Sequence, residues 1–310
     1  MGLSNTEYLI ATKLRLTGDG DFWLDIPSIS VEPGVSITLI GANGSGKSTL
    51  LESLLDLRKS VSGDVSFFGI PNSRFFKSQA RRRLGVQLQK AGFNDDYLVR
   101  EVVALHSSAY GKCDAQVADL LGVEMLKHKK YGNLSRGEKQ RLDLYLGVAH
   151  DPDFLILDEP STGLDGNYAT AFKQVLSQIR RKRESLSVLS ASHDEKEVDN
   201  SNQIIWMQRG KIYDSGSLSE LLDSHLGEIS ISLTFPEHQI ASEYANKFAE
   251  DRKIKYVRLR DETTIVACGE QSIEEYVENI GEQASIIGYS VDQLTAKDLL
   301  NLVSERSNYA

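Results

Sequence analysis

The chain has 310 residues, 40% hydrophobic and 25% charged, which places it among globular proteins with room for one large or two modest domains. A formal net charge of −9 argues against broad, non-specific nucleic-acid binding, and the two cysteines, Cys113 and Cys268, supply neither a metal spacing nor a disulfide framework. No apolar run approaches the roughly 20 residues that cross a bilayer, and residues 1–10 carry no basic n-region or apolar h-region, so a reduced, cytoplasmic setting without a signal peptide is expected.

Residues 8–11 and 22–24 are short apolar runs broken by Gly18, Asp19 and Gly20, a β-rich opening. Glu32-Pro33-Gly34 is a turn that delivers the chain into residues 35–40, a short apolar run that reads as a buried strand. Then comes Gly41-Ala42-Asn43-Gly44-Ser45-Gly46-Lys47-Ser48-Thr49, which fits G-x-x-x-x-G-K-[ST]. A helical run, residues 50–55, follows it. Strand, glycine loop and helix form the context in which this pattern binds phosphate, and those flanks weigh against a chance glycine turn. Glycines let backbone N–H groups converge on phosphate oxygens, and the helix N-terminus adds partial positive charge. Lys47 is placed to reach the β- and γ-phosphates and Ser48 to ligate Mg²⁺.

Residues 65–68 read as a strand closed by Gly69 and Pro71. Arg81, Arg82 and Arg83 read as a solvated face or a partner contact, because no aromatic is interleaved with them. From about 90 to 150 the pattern turns helical, with short helices at 101–105 and 117–121. Ser135 occupies an N-cap position with Glu138 three residues on, the capping-box spacing; the same exposed N–H groups also suit a second anion site. Residues 154–157 are a buried parallel strand ending in Asp158 and Glu159, at the sheet edge where open α/β folds bind ligands. Phe172, Val175, Leu176 and Ile179 recur at helical spacing, and the basic tail 180–183 suits that helix's C-terminus. Residues 187–190 form the next strand and deliver His193 to the same edge; residues 204–213 read as a closing hairpin.

Near residue 225 the pattern changes. Ile229, Ile231, Leu233 and Phe235 alternate with Ser230, Ser232 and Thr234, a half-buried strand. A helix through Ile240, Tyr244 and Phe248, strands at 253–259 and 263–267, a helix at 273–280, a strand at 284–291 and a helix at 296–303 follow. The order β-α-β-β-α-β suggests a small ferredoxin-like α+β sandwich.

Asp158 can hold Mg²⁺, Glu159 can orient or deprotonate an attacking water, and His193 can donate to a γ-phosphate. Taken singly each has a bland reading as cap or core residue; together on one sheet edge they point to nucleotide hydrolysis. Over residues 8–220 or so the chain resembles the ATP-binding subunit of an ABC transporter. The P-loop at 41–49, the signature Leu134-Ser135-Arg136-Gly137-Glu138 and the Walker B run Leu155 to Pro160 carry the resemblance. Ser161-Thr162-Gly163-Leu164-Asp165 is similar to the D-loop, Gln89 to the Q-loop glutamine, and Ser192-His193 to the H-loop.

The resemblance implies an α/β P-loop NTPase of ABC type, with a mixed sheet core, an antiparallel β subdomain and a small helical subdomain at about 90–150. The expected domains are residues 1–224 for ATP binding and 225–310 for the accessory module. It implies ATP and Mg²⁺ as ligands, with Glu159, His193, Lys47 and Gln89 catalytic and Ser48, Gln89 and Asp158 at the metal. Nucleotide contacts are implied at Gly41, Ala42, Asn43, Gly44, Ser45, Gly46, Lys47, Ser48 and Thr49, and at Ser135, Gly137, Glu138 and Asp165. Two such domains meet head to tail, each nucleotide lying between one P-loop and the other signature, most simply in a homodimer. The pair drives a separate integral membrane permease from the cytoplasmic face, with no nucleic acid. The short helical segment and the β-rich extension resemble ATPases of ABC-2-type exporters. Arg136 and Glu138 stand where glycine and glutamine are usual, leaving Ser135 and Gly137 intact. No aromatic stands near 17–20 to stack on adenine; Phe22 or Trp23 is the candidate substitute, each with an equal reading as a strand core residue. The competing class is the soluble ABC ATPase acting on ribosomes or nucleic acid, but that class typically carries tandem cassettes, long coiled coils or zinc modules, and this chain has one P-loop, no heptad run and no cysteine cluster. Intact Glu159 and His193 argue against a degenerate regulatory subunit.

Overall fold

The computed structural model describes residues 7–17, 23–59, 62–89, 92–111, 113–270 and 286–308. The chain divides into two compact units, Met1–Ser215 and Gly216–Ala310.

The first unit is built on one mixed sheet. Its strands are β1 (Leu9–Thr17), β2 (Trp23–Val31), β3 (Ser36–Ile40), β4 (Ser62–Phe67), β5 (Ile70–Pro71), β6 (Leu84–Gln87), β7 (Phe154–Asp158), β8 (Ser187–Ala191), β9 (Gln203–Gln208) and β10 (Lys211–Gly216). They lie in the order β5-β4-β1-β2-β10-β9-β3-β8-β7-β6. β9, β3, β8, β7 and β6 pair in parallel, whereas β1 is antiparallel to β2 and β4. The helices are α1 (Lys47–Leu54), α2 (Asn72–Phe75), α3 (Val99–Tyr110), α4 (Ala115–Leu120), α5 (Arg136–Val148), α6 (Gly166–Lys182) and α7 (Glu195–Asp199).

Helices on both faces of the parallel strands explain why those strands read as unbroken apolar runs. On β7, Phe154 and Ile156 pack into the core that holds Leu50, Leu51 and Leu54 of α1. Leu155 and Leu157 point the other way, into the core with Leu142 of α5 and Phe172 and Val175 of α6. This alternation sets up the chemistry: Asp158 continues the even-numbered face and so points at α1. Val99, Val102 and Val117 of the helical subdomain join the second core.

The two basic runs lie at the surface and at a helix end, and both take partners within the fold. Arg82 and Arg83 are exposed, yet Arg83 lies 3.8 Å over the Phe68 ring and pairs with Asp153, and Arg82 Nε donates to the Ala109 carbonyl. In the tail of α6, Arg183 pairs with Asp151 and Asp153, while Arg180 turns inward to Ser36 Oγ.

The second unit comprises α8 (Leu218–His225), β11 (Ile229–Thr234), α9 (His238–Glu250), β12 (Ile254–Leu259), β13 (Thr264–Gly269), β14 (Gly288–Gln293) and a last helix, α10 (Ala296–Asn308). Its sheet runs β12-β13-β11-β14 with every neighbour antiparallel. β11 and β12 are therefore parallel with β13 between them, a split β-α-β unit. The helix expected at 273–280 lies outside the described residues. α8 falls within the second unit, where Lys255 of β12 donates to the Asp223 carbonyl of α8 at 2.6 Å. β11 is buried on both faces rather than one. Ile231 and Leu233 pack with Phe248 of α9. Ser230 and Ser232 are buried too, in the cross-strand rows of Tyr256 and Arg258, whose side chains reach Glu305 on α10.

Candidate functional site

The site lies where β3, β7 and β8 end together. Register places Leu39 beside Ala191 and Asp158 beside Ala191, so the loops after these strands emerge side by side. The loop after β3 is the glycine-rich run. Gly41 has φ +150, and a Cβ there would lie 2.4 Å from the Met207 carbonyl and 2.6 Å from Ser45 Oγ. Only glycine lets the loop approach β9 this closely. Gly46 is the N-cap of α1, so the first amides of that helix face into the loop.

Lys47 is 6% exposed, and its ammonium donates to the carbonyls of Gly41 at 2.6 Å and Ala42 at 3.1 Å. Burial pushes its pKa down, and the neighbouring Glu159 and Asp158 charges oppose that shift. Ser48 Oγ donates to Asp158 Oδ1 at 3.2 Å, as the alternation of β7 requires. Burial raises the Asp158 pKa; the Ser48 hydrogen bond pulls the other way. Ala42, Ser48 and Thr49 are half-buried, while Asn43 and Gly44 are exposed.

Glu159 leaves the strand in a left-handed conformation, φ +50, with its N–H still donating to the Ala191 carbonyl. Such a backbone costs of order 1–3 kcal/mol in a non-glycine residue and persists where neighbours enforce it. The neighbours are identifiable: Gln140 Nε2 donates to the carbonyls of Glu159 at 3.4 Å and Pro160 at 3.0 Å, and Thr162 Oγ1 donates to Glu159 Oε2 at 3.2 Å. His193 Nε2 lies 3.9 Å from Glu159 Oε1. Burial, then the Lys47 charge, lowers the His193 pKa against the pull of Glu159, which favours the neutral ring.

Gln89 is exposed and lines a cavity of 470 Å³ together with Glu159, Gln140, Arg136 and Asp143. The four groups Lys47, Asp158, Glu159 and His193 are thus brought together, with Gln89 at the adjoining cavity. Ser135 and Gly137 are not joined to the P-loop by any hydrogen bond among the described residues. Ser135 Oγ accepts from Glu138 N at 3.3 Å and the Glu138 carboxylate accepts from Ser135 N at 2.9 Å, the anticipated capping box. That carboxylate also pairs with Lys129 at 2.7 Å, which, with the Ser135 bond, depresses its pKa. Gly137 abuts the Gly163 carbonyl, so signature and D-loop are neighbours in one chain. Asp165 caps α6, accepting from the amides of Asn167 and Tyr168. Phe22 lies outside the described residues; Trp23 is 58% exposed at the start of β2.

Three polar residues at the site were given no individual role by the sequence reading, although Thr162 lies in the D-loop match. Gln140 and Thr162 brace Glu159 as described. Gln87 is buried, and its Nε2 donates to the Asp158 carbonyl at 3.2 Å. A glutamine at a core position of an apolar strand was the available signal. Ser45 Oγ and Gln87 Oε1 are buried without a partner, and a Cβ at Gly44 would meet nothing within 4 Å. A loop with an orphaned hydroxyl, converging amides and an open side suits a phosphate. The Ser48 hydroxyl and Asp158 carboxylate are a hard oxygen pair that suits Mg²⁺.

The profile of a family described as ABC transporter matches residues 24–162. Nod factor export ATP-binding protein I of Burkholderia orbicola (strain AU 1054) is 31% identical over 73% of this chain and 76% of its own. The energy-coupling factor transporter ATP-binding protein EcfA1 of Latilactobacillus sakei subsp. sakei is 28% identical over 68% of this chain and 78% of its own. Among solved structures, an ATP-binding subunit of an ABC transporter superposes with a TM-score of 0.62 at 21% identity, covering 70% of this chain and 92% of its own. A dimeric ATP-binding cassette bound to ADP and Pi in a post-hydrolysis state gives 0.59 at 20% identity, covering 68% of this chain and 98% of its own. At such identities the structural likeness speaks for the fold.

Proposed function

The chain belongs to the family of ABC transporter ATP-binding proteins, and on that premise we propose that it hydrolyses ATP to drive transport through a separate membrane permease. The observation that carries the reading is the convergence of Lys47, Asp158, Glu159 and His193 on one sheet edge.

In this reading the amides of residues 42–48 and the Lys47 ammonium bind the phosphates. Ser48 and Asp158, joined at 3.2 Å, would hold Mg²⁺, with Gln89 as a further ligand, and the ion would neutralise charge at the phosphate oxygens. Glu159, steadied by Gln140 and Thr162, orients the attacking water and accepts its proton. His193, neutral at physiological pH, donates from one ring nitrogen to the γ-phosphate. Trp23 offers its exposed face to the base. The signature of one chain, Ser135 and Gly137, meets the nucleotide held by a second copy, in keeping with the lack of any hydrogen bond between them and the P-loop among the described residues. Residues 216–310 act as an accessory interaction module. Export, rather than uptake, draws on the Nod factor relative.

Replacing Glu159 with Gln tests the reading. Turnover is expected to fall by about 10²–10⁴ while ATP still binds and the protein runs as a dimer in gel filtration. A variant that hydrolyses at the normal rate removes Glu159 from the chemistry.

A further inference from the structure

On the α6 side of the parallel sheet lies a second cavity, of 670 Å³, that the P-loop chemistry does not use. Its floor is unusual for a parallel sheet. Thr38 of β3 and Ser190 of β8 share the face that elsewhere carries Leu157 and Val188, and their hydroxyls meet at 3.2 Å. Ser201 adds a third hydroxyl at 1 end of this group, bonded to Thr38 at 2.5 Å. Phe172 and Leu176 of α6 form an apolar wall.

The charge on this cavity is unbalanced. Arg180 turns into it from α6; one terminal nitrogen donates to Ser36 Oγ, and its Nε is buried without a partner. No carboxylate pairs with Arg180, Arg181 or Lys196 among the described residues. Lys173 is taken up by Asp194 at 3.2 Å; Glu197, which also lines the cavity, accepts from Ser161 and keeps its charge, so the basic side chains still outnumber the carboxylates. The remaining carboxylate at the cavity, Glu184, is exposed. Burial lowers the Arg180 pKa, the mark of a charge short of solvent and counter-ion. The basic tail that reads in sequence as a helix C-terminus feature therefore does two jobs: Arg183 ties α6 to the loop before β7, and Arg180 arms a cavity.

We propose that this cavity binds a small organic anion, with a phosphate or carboxylate head at Arg180 and an apolar body against Phe172 and Leu176. The oxyanion supplies the counter-charge that no carboxylate gives Arg180 among the described residues, and guanidinium suits a forked oxyanion. Ser161 and Asp194, which tie into the cavity wall, follow Glu159 and His193 closely in the chain, so the occupant sits behind both loops.

Titration calorimetry on the full chain, with the P-loop saturated by a non-hydrolysable ATP analogue, tests this. Phenyl phosphate and benzoate, titrated in parallel, tell the two heads apart, and binding of either supports the site. Arg180→Met is expected to weaken that binding at least about 10-fold, the worth of one charge-assisted contact. Ser177→Glu, at an exposed position on the rim, is expected to weaken it by charge repulsion and keeps the test decisive if the first variant does not fold. Equal affinity in wild type and the folded variants overturns the proposal, as does no binding of either probe to wild type. Inorganic phosphate binding as tightly as phenyl phosphate overturns the assignment of an organic body.

Discussion

Lys47 sits where its own burial and two carboxylates pull its proton in opposite directions, and it resolves the conflict by donating to two loop carbonyls. Those donors are what a phosphate would claim. Lys47→Ala is therefore expected to weaken ATP binding by about 10- to 100-fold, as loss of a charged hydrogen-bond donor predicts. Unchanged affinity by fluorescence titration would undercut the cradle. Asp143, on α5 beside the Gln89 cavity, is a second conflict. Burial raises its pKa from 3.8 to about 7, and Lys139 offsets part of the shift. At high pH the folded chain must hold a desolvated carboxylate; below the unfolded pKa both states are protonated and nothing is lost. The cost thus grows as pH rises from about 4 to about 7 and is complete above that. Asp143→Asn is expected to stabilise the chain by roughly 1–2 kcal/mol near pH 8 and to have no effect near pH 4. His106 works in the opposite sense, because burial and His150 lower its pKa from 6.5 to about 4, so stability is lost as pH falls through that range. The wild-type profile blends the two effects, so the readout is the difference in denaturation midpoint between variant and wild type at each pH.

The β9–β10 turn is the element that ties the nucleotide loop to the antiparallel part of the sheet. Gly210 N donates to the Ser45 carbonyl at 2.8 Å, and its own carbonyl accepts from Asp25 N at 2.8 Å. Its φ is +73, and a Cβ would fall 1.8 Å from the Trp23 carbonyl, a backbone atom with little room to yield. Gly210→Ala is expected to cost about 1–3 kcal/mol of stability and to raise KM for ATP more than it lowers kcat, since it shifts the loop and Trp23 but not Glu159. A variant with unchanged melting temperature and KM would show that the turn does not hold the loop. This tie illustrates what could be read beforehand. The P-loop, the Ser135–Glu138 capping box and the Asp158-Glu159 strand end are local, each decided by residues within one turn or one strand, and sequence reports them well. The contacts of Gln140 with the Glu159 carbonyl and of Gly210 with Ser45 join residues 19 and more apart, and depend on the path of loops that no periodicity encodes. The same limit applies to Arg180 and Arg183, identical in sequence character yet sent to different partners because Arg180 lies on α6 and Arg183 is the extended residue just after it. Ser230 and Ser232 read as a solvent face because nothing in β11 announces that α10 will cover them.

At the scale of the whole molecule, nucleotide-driven work needs something to push against. No helix among the described residues is long and apolar enough to cross a membrane. Among the described residues no hydrogen bond joins the signature groups to the P-loop, which fits the proposed site completed by a second cassette. Gln89 is exposed and lines the same cavity as Glu159, and in the proposed function it is the group that links hydrolysis to a bound permease. These features set one expectation. Gentle extraction of membranes followed by capture of this chain should bring down a protein with several membrane spans, and that protein should raise the ATPase rate when restored to the purified chain. Gln89→Ala should reduce that stimulation more than it reduces the basal rate, because coupling free energy is carried by the group that both sites bias. Capture of ribosomes or DNA with no membrane protein would overturn the transport role while leaving the hydrolytic site, and the Glu159→Gln prediction, in place.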